Sequence, residues 1–450
     1  MEKVEYKEVP GSHPEDSASP DVVSIRVYPR RWLILGLFSA TCLTTTFQWV
    51  QYTIVGDLVA RYYGVPQAHV EWTSLVYMVS VSVLMVPGCF LLDKMGMRWC
   101  MEMGGLLMAC GACLKVVAVD SARFPLALLG QTMVGTAQVF VLGAPARVAA
   151  TWFGADQLST ACAVGVFGNQ VGAALGFLLP PVVVRSHEDP AAIGRDLRRM
   201  LVATAAVSTL VLVLIILLFK ERPELPPSPM QARERSAPVP VTLRDFFSGV
   251  GRLLANRNYR LVLAAFGLSG GALNVVGTVL NPVVLLHFPN EQQFAGRVGL
   301  VIILSSLVGC ILFGVLMDKT HKYKEISLGV YILSVLATAG FSVVFWTKNA
   351  ILVYLSAGLV GLFLFGYVAV ALELCAEVTH PESESTAGGL AIVPGNLLGV
   401  AMAVLFARAL ERWGYLPAGA LVTALLALGA VFAACLRRDY RRVAANTGKA

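Results

Sequence analysis

The segment Gly88-Cys-Phe-Leu-Leu-Asp93-Lys-Met-Gly96-Met-Arg98 returns later as Gly314-Val-Leu-Met-Asp318-Lys319-Thr-His-Lys322-Tyr-Lys324. Asp318 follows Asp93 by 225 positions, and Ser159-Thr160-Ala161 recurs as Ser385-Thr386-Ala387 at an offset of 226. The 450-residue chain is therefore read about twice. Parallel repeats inside a membrane place a binding site at their common interface, so the offset also serves as a ruler for finding that site.

Composition agrees with a membrane location. Hydrophobic residues make up 56% and charged residues 14%, where a soluble domain carries about 25% charged residues. Mean hydropathy is +0.70. A helix needs about 20 mostly apolar residues to cross a bilayer. Twelve such runs are present: 32–56, 71–92, 99–119, 124–150, 159–185, 198–219, 259–287, 296–317, 326–346, 350–376, 385–408 and 416–436. The expected fold is an all-α membrane protein with twelve transmembrane helices in two six-helix bundles. Residues 1–28 form a polar N-terminal tail and 29–219 the first bundle. A linker at 220–257 follows, rich in Pro, Arg and Glu, then the second bundle at 258–437 and a tail at 438–450. Within the linker, Phe246, Phe247, Val250 and Leu253 fall on one face of a surface helix over Leu243 to Leu254.

Twelve spans put both ends on one side. That side carries twenty-four Lys and Arg against ten on the other, which places both termini in the cytosol. The net charge of +7 then reflects topology and the lipid bilayer, with no implication of nucleic-acid binding. Nine Cys are scattered without a CxxC pair and read as small apolar fillers. The six His lie in tails or at loop ends, so neither a metal site nor a cofactor is expected, and no acid–base pair or nucleophile suggests an enzyme.

Charged and amide side chains within the spans are the candidate functional residues. Trp49 lies about 25 Å into the first span at 1.5 Å per residue, past the midplane, where an aromatic face can hold a quaternary ammonium or serve as packing mass. At the repeat offset its mate is Asn274. Gln170, in a span with glycines at 165, 168, 172 and 176, has Asn396 as its mate. These amides suit either a substrate hydroxyl or carbonyl or a plain interhelical hydrogen bond. Asp93 with Arg98, and Asp318 with Lys319, are expected to latch the cytoplasmic side. Arg147 joins this gating set. Its repeat mate Glu373 suits either a partner for a basic residue at this gate or a proton carrier, and with one carboxylate and no buried His in the spans the gating role is favoured. Lys115, near the outer end of its span, is expected to snorkel to the interface.

The paired loops resemble those of the major facilitator superfamily. A narrower resemblance rests on Phe47-Gln-Trp-Val-Gln-Tyr52, Glu71-Trp-Thr-Ser-Leu-Val-Tyr-Met78, Trp152-Phe-Gly154, Gly168-Asn-Gln170, Gly176-Phe-Leu-Leu-Pro-Pro181 and His380-Pro-Glu-Ser-Glu384. From about Arg30 to Arg442 the chain is similar to the feline leukemia virus subgroup C receptor-related family, solute carrier family 49. That resemblance implies alternating-access transport of choline or ethanolamine at the plasma membrane. Haem export and a non-transporting receptor or sensor are the alternatives. It also implies a pocket of Trp49, Met78, Gln170, Asn274 and Asn396. Asn274 stands where the family pattern has Tyr and Asn396 where it has Gln, so one wall of an aromatic clamp is replaced by an amide.

Overall fold

The structure is a computed structural model that describes residues 5–9, 21–120, 122–154, 157–227, 231, 243–320, 322–379 and 384–437. Twelve helices among them are long and apolar enough to cross a membrane. The first span is α1 (Arg30–Val50), a short 3₁₀ turn (Thr53–Val55) and α2 (Gly56–Tyr63). The first half continues with α3 (Gln67–Met95), α4 (Met97–Val117), α5 (Phe124–Leu142), the short α6 (Pro145–Trp152), α7 (Leu158–Val183) and α8 (Pro190–Leu218). After the linker helix α9 (Leu243–Ala255), the second half comprises α10 (Arg257–His287), α11 (Gln292–Thr320), α12 (Tyr323–Val344), α13 (Ala350–Val360), α14 (Tyr367–Thr379), α15 (Glu384–Trp413) and α16 (Tyr415–Ala434). A π turn at Gly361–Phe365 joins α13 to α14.

Each expected apolar run corresponds to one spanning helix. The fourth is shorter than hydropathy implies. It stops at Leu142, and Pro145 opens the separate helix α6, because proline lacks an N–H and fits only a first turn. The chain also carries two short antiparallel strands, Glu5–Val9 and Asp21–Ile25, with Glu5 opposite Ile25. These are an addition to the all-helical expectation. The turn at His380–Ser383 and the basic tail from Arg438 lie outside the described residues.

Packing follows the repeat. Within the halves α1 lies on α7 and, equivalently, α10 on α15. Between the halves α7 packs on α11 and α15 on α3, so each half's fifth span rests on the other's second. Lipid tails are as apolar as Leu, so such helices associate by close packing instead of by hydrophobic burial. The α1–α7 seam shows the means. A Cβ at Gly168 would stand 2.6 Å from the Ser39 carbonyl oxygen, and a Cβ at Gly172 would meet the Leu43 carbonyl oxygen.

The apolar face expected on the linker helix is divided. Phe246 and Leu253 are buried, whereas Phe247 is exposed. Phe246 sets its ring edge against Phe90 near the C-terminal end of α3, 5.7 Å between centroids.

Candidate functional site

Trp49 comes at the end of α1, just before the helix gives way to the 3₁₀ turn. Its indole N–H donates to Ser74 Oγ on α3 (2.8 Å). Ser74 Oγ in turn shares a hydrogen bond with Thr278 Oγ1 on α10 (3.0 Å). The Trp49 ring stacks on Tyr77, 6.2 Å between centroids and 25° between planes. Its far edge lies beside Gly277, where a Cβ would come within 3.1 Å. Helices of both halves thus hold one indole. Met78 is buried next to Tyr77. Ile392 and Val393 of α15 pack into the same apolar cluster as Tyr77 and Trp49.

One turn from Thr278, Asn274 Nδ2 donates to Asn396 Oδ1 (3.1 Å) and to the Gly395 carbonyl (3.2 Å). The repeat mate of Asn396, Gln170, donates instead across the halves to Ser306 Oγ of α11 (3.3 Å). Its neighbour Asn169 accepts from Thr46 and Gln138. The structure therefore joins Asn274 to Asn396 directly, and Trp49 to the helix of Asn274 through Ser74 and Thr278. Gln170 stands apart, on the α7–α11 seam.

At the turn between α3 and α4, Asp93 pairs with Arg147 (2.9 Å), which also donates to the Leu92 carbonyl (2.8 Å). Arg98, expected as Asp93's partner, pairs instead with Glu102 one turn along its own helix (2.8 Å). The reason lies in Gly96, whose φ of +86° turns the chain so that α4 starts in a new direction and carries Arg98 with it. Glu221, at the start of the linker, accepts the backbone N–H groups of Met97 and Arg98. It thereby caps α4 where the helix end is positive. In the second half, Lys319 is exposed, Glu373 is half-buried, and the side chain of Asp318 is not among those described. The two glycines of the repeated motif, Gly88 in α3 and Gly314 in α11, also differ. A Cβ at Gly88 would run into Val139, while nothing described lies within 4 Å of one at Gly314.

Several residues escaped the sequence reading. Lys115 does not snorkel: it is 0% exposed and donates to Gln131 Oε1 (3.1 Å). At the opposite end of the seam from Asp93, Asn281 Nδ2 donates to the Ile54 carbonyl (2.7 Å) and Gln292 Nε2 to Asp57 Oδ2 (2.8 Å). Both bonds cross between the halves. Asn281 precedes Pro282 inside an apolar run, and an amide beside a proline within a spanning helix was the available signal.

The Major Facilitator Superfamily model matches residues 37–393. The chain is 37% identical over 425 residues to the choline/ethanolamine transporter flvcr2a of Danio rerio, spanning 94% of this chain and 90% of that one. It is 34% identical to the choline/ethanolamine transporter FLVCR2 of Homo sapiens, over 96% of this chain and 81% of the relative. It is 35% identical to FLVCR1 of Felis catus, over 98% and 78%. The fold is also similar to the crystal structure of a bacterial homolog of the human lysosomal transporter Spinster. There the TM-score is 0.71 over 93% of this chain and 99% of that one, at 12% identity, which is a likeness of fold alone. On these grounds the chain belongs to the major facilitator superfamily and, within it, to the feline leukemia virus subgroup C receptor-related transporters.

Proposed function

We propose that this protein moves choline or ethanolamine across the plasma membrane by alternating access, with both termini in the cytosol. The substrate ammonium sits at the seam against Trp49 and Met78, with Asn274 and Asn396 beside it and Gln170 joining from the neighbouring α7–α11 seam as the halves move. The observation that carries this reading is the Trp49–Ser74–Thr278 chain. An aromatic face able to attract a cation is held there by helices from both halves, so occupancy and closure act on the same residue. The relatives named as choline/ethanolamine transporters support the substrate class. Asn281 and Gln292 hold the outer side shut and exchange partners when it opens. The Asp93–Arg147 pair, with Arg98, Asp318, Lys319 and Glu373 nearby on the loops and helix ends, governs the inner side.

The test is saturable uptake and efflux of labelled choline, ethanolamine and haem, compared in one cell line lacking its own carriers. Uptake of choline or ethanolamine above background is the expected result. A surface-expressed protein that moves neither overturns the substrate assignment, and movement of haem alone replaces it.

A further inference from the structure

At the break in the first span, α1 ends at Val50, and the carbonyls of its last turn lose their helical donors. Two of them are met from outside the helix. Gln131 Nε2, on α5, donates to the Gln48 carbonyl (2.8 Å) and to the Trp49 carbonyl (3.4 Å). Because these acceptors require the amide's NH₂, its oxygen must face the other way, and there it accepts from Lys115 Nζ. Both side chains are 0% exposed. The lysine stem reaches this place because α4 and α5 cross closely. A Cβ at Gly130 would stand 2.8 Å from Lys115 Cγ and 2.7 Å from the Gly111 carbonyl oxygen. The carbonyl end of a helix is electronegative, which suits an amine donor. Lys115 Nζ also stands 5.8 Å over the Tyr52 ring, one turn after Gln48 on the same break.

We infer that Lys115 and Gln131 are positioning residues for Trp49. Lys115 orients the Gln131 amide, Gln131 holds the backbone of Gln48 and Trp49, and the indole is thereby presented to the substrate at a set depth. The brace lies wholly within the first half, unlike the Asn281 bond to Ile54 on the same break, so it persists when the outer side opens. This inference rests on the proposal that Trp49 faces the substrate.

Two measurements test it on the full-length protein. In transport, with surface amounts determined, Lys115→Met and Gln131→Leu each raise the KM for choline or ethanolamine about fivefold to tenfold, the scale of one lost internal hydrogen bond. Maximal rate per surface molecule stays within about twofold. The double variant is no worse than Gln131→Leu, since both residues act on the same two carbonyls, and Lys115→Arg, which keeps a donor, restores the KM. An unchanged KM in Gln131→Leu overturns the inference. So does a fall in maximal rate alone, with Lys115→Arg as poor as Lys115→Met. In hydrogen–deuterium exchange of the purified protein, residues 50–55 exchange faster in both single variants while α7 and α8 do not. This readout needs no substrate. A wild type that carries neither choline nor ethanolamine defeats the substrate reading, whereas unaltered exchange at 50–55 defeats the brace.

Discussion

Trp49 and Gln170 in the first half occupy the places that Asn274 and Asn396 occupy in the second, yet the two pairs bond in opposite ways. The first pair reaches outward, Trp49 through Ser74 to Thr278 and Gln170 to Ser306, each ending on the other half. The second pair closes on itself, with Asn274 bonded to Asn396 and Gly395 inside its own half. Contacts that cross must break when the halves rock, whereas contacts within a half travel with it. The first half therefore carries residues coupled to the conformational cycle, and the second carries a preformed amide wall. The same asymmetry appears near the ends of α3 and α11, where Gly88 is wedged against Val139 and nothing among the described residues lies within 4 Å of a Cβ at its mate Gly314.

The largest expected effect comes from removing the crossing aromatic. Trp49→Ala is expected to abolish saturable uptake, while Trp49→Phe keeps a ring without the N–H and retains weakened uptake. Equal loss in both, measured with labelled substrate, would assign Trp49's importance to its hydrogen bond and not to its face. Next come the glycines of the repeated motif. Gly88→Ala forces a methyl into Val139 and lowers stability by about 1–3 kcal/mol, read as a lower melting temperature in detergent. Gly314→Ala leaves it unchanged, and equal shifts would erase the contrast between the two helices. Third, Asn281→Ala removes a bond that crosses on the outer side. A cysteine placed on α10 near the outer mouth should then react with an impermeant thiol reagent about twofold to tenfold faster; an unaltered rate would show that the bond does not hold the halves together. The smallest effect is at Asn396. Asn396→Ala leaves Asn274 Nδ2 its Gly395 partner, so stability falls by about 1 kcal/mol or less and thiol accessibility stays constant. A change in accessibility there would place the amide pair among the moving contacts.

Much of this was legible in the chain. The repeat offset paired Asp93 with Asp318 and Trp49 with Asn274, and twelve apolar runs named twelve spans. The partners were less legible. Asp93 takes Arg147, 54 residues away, where the nearby Arg98 was expected. Ser74, Tyr77, Thr278 and Ser306 are small or ordinary residues in apolar helices and gave no signal of their own. Lys115, read as an interfacial lysine, points inward.

The sequence by itself determined the number of crossings, the two halves and the positions that are mates between them. Each of these depends on hydropathy summed over about 20 neighbouring residues or on a repeat along the chain. Tertiary structure alone decided which polar side chains meet. That depends on how each helix is rotated about its axis and how closely its neighbour approaches. Successive residues turn by about 100°, and a glycine such as Gly168 or Gly130 sets a crossing that no local window contains.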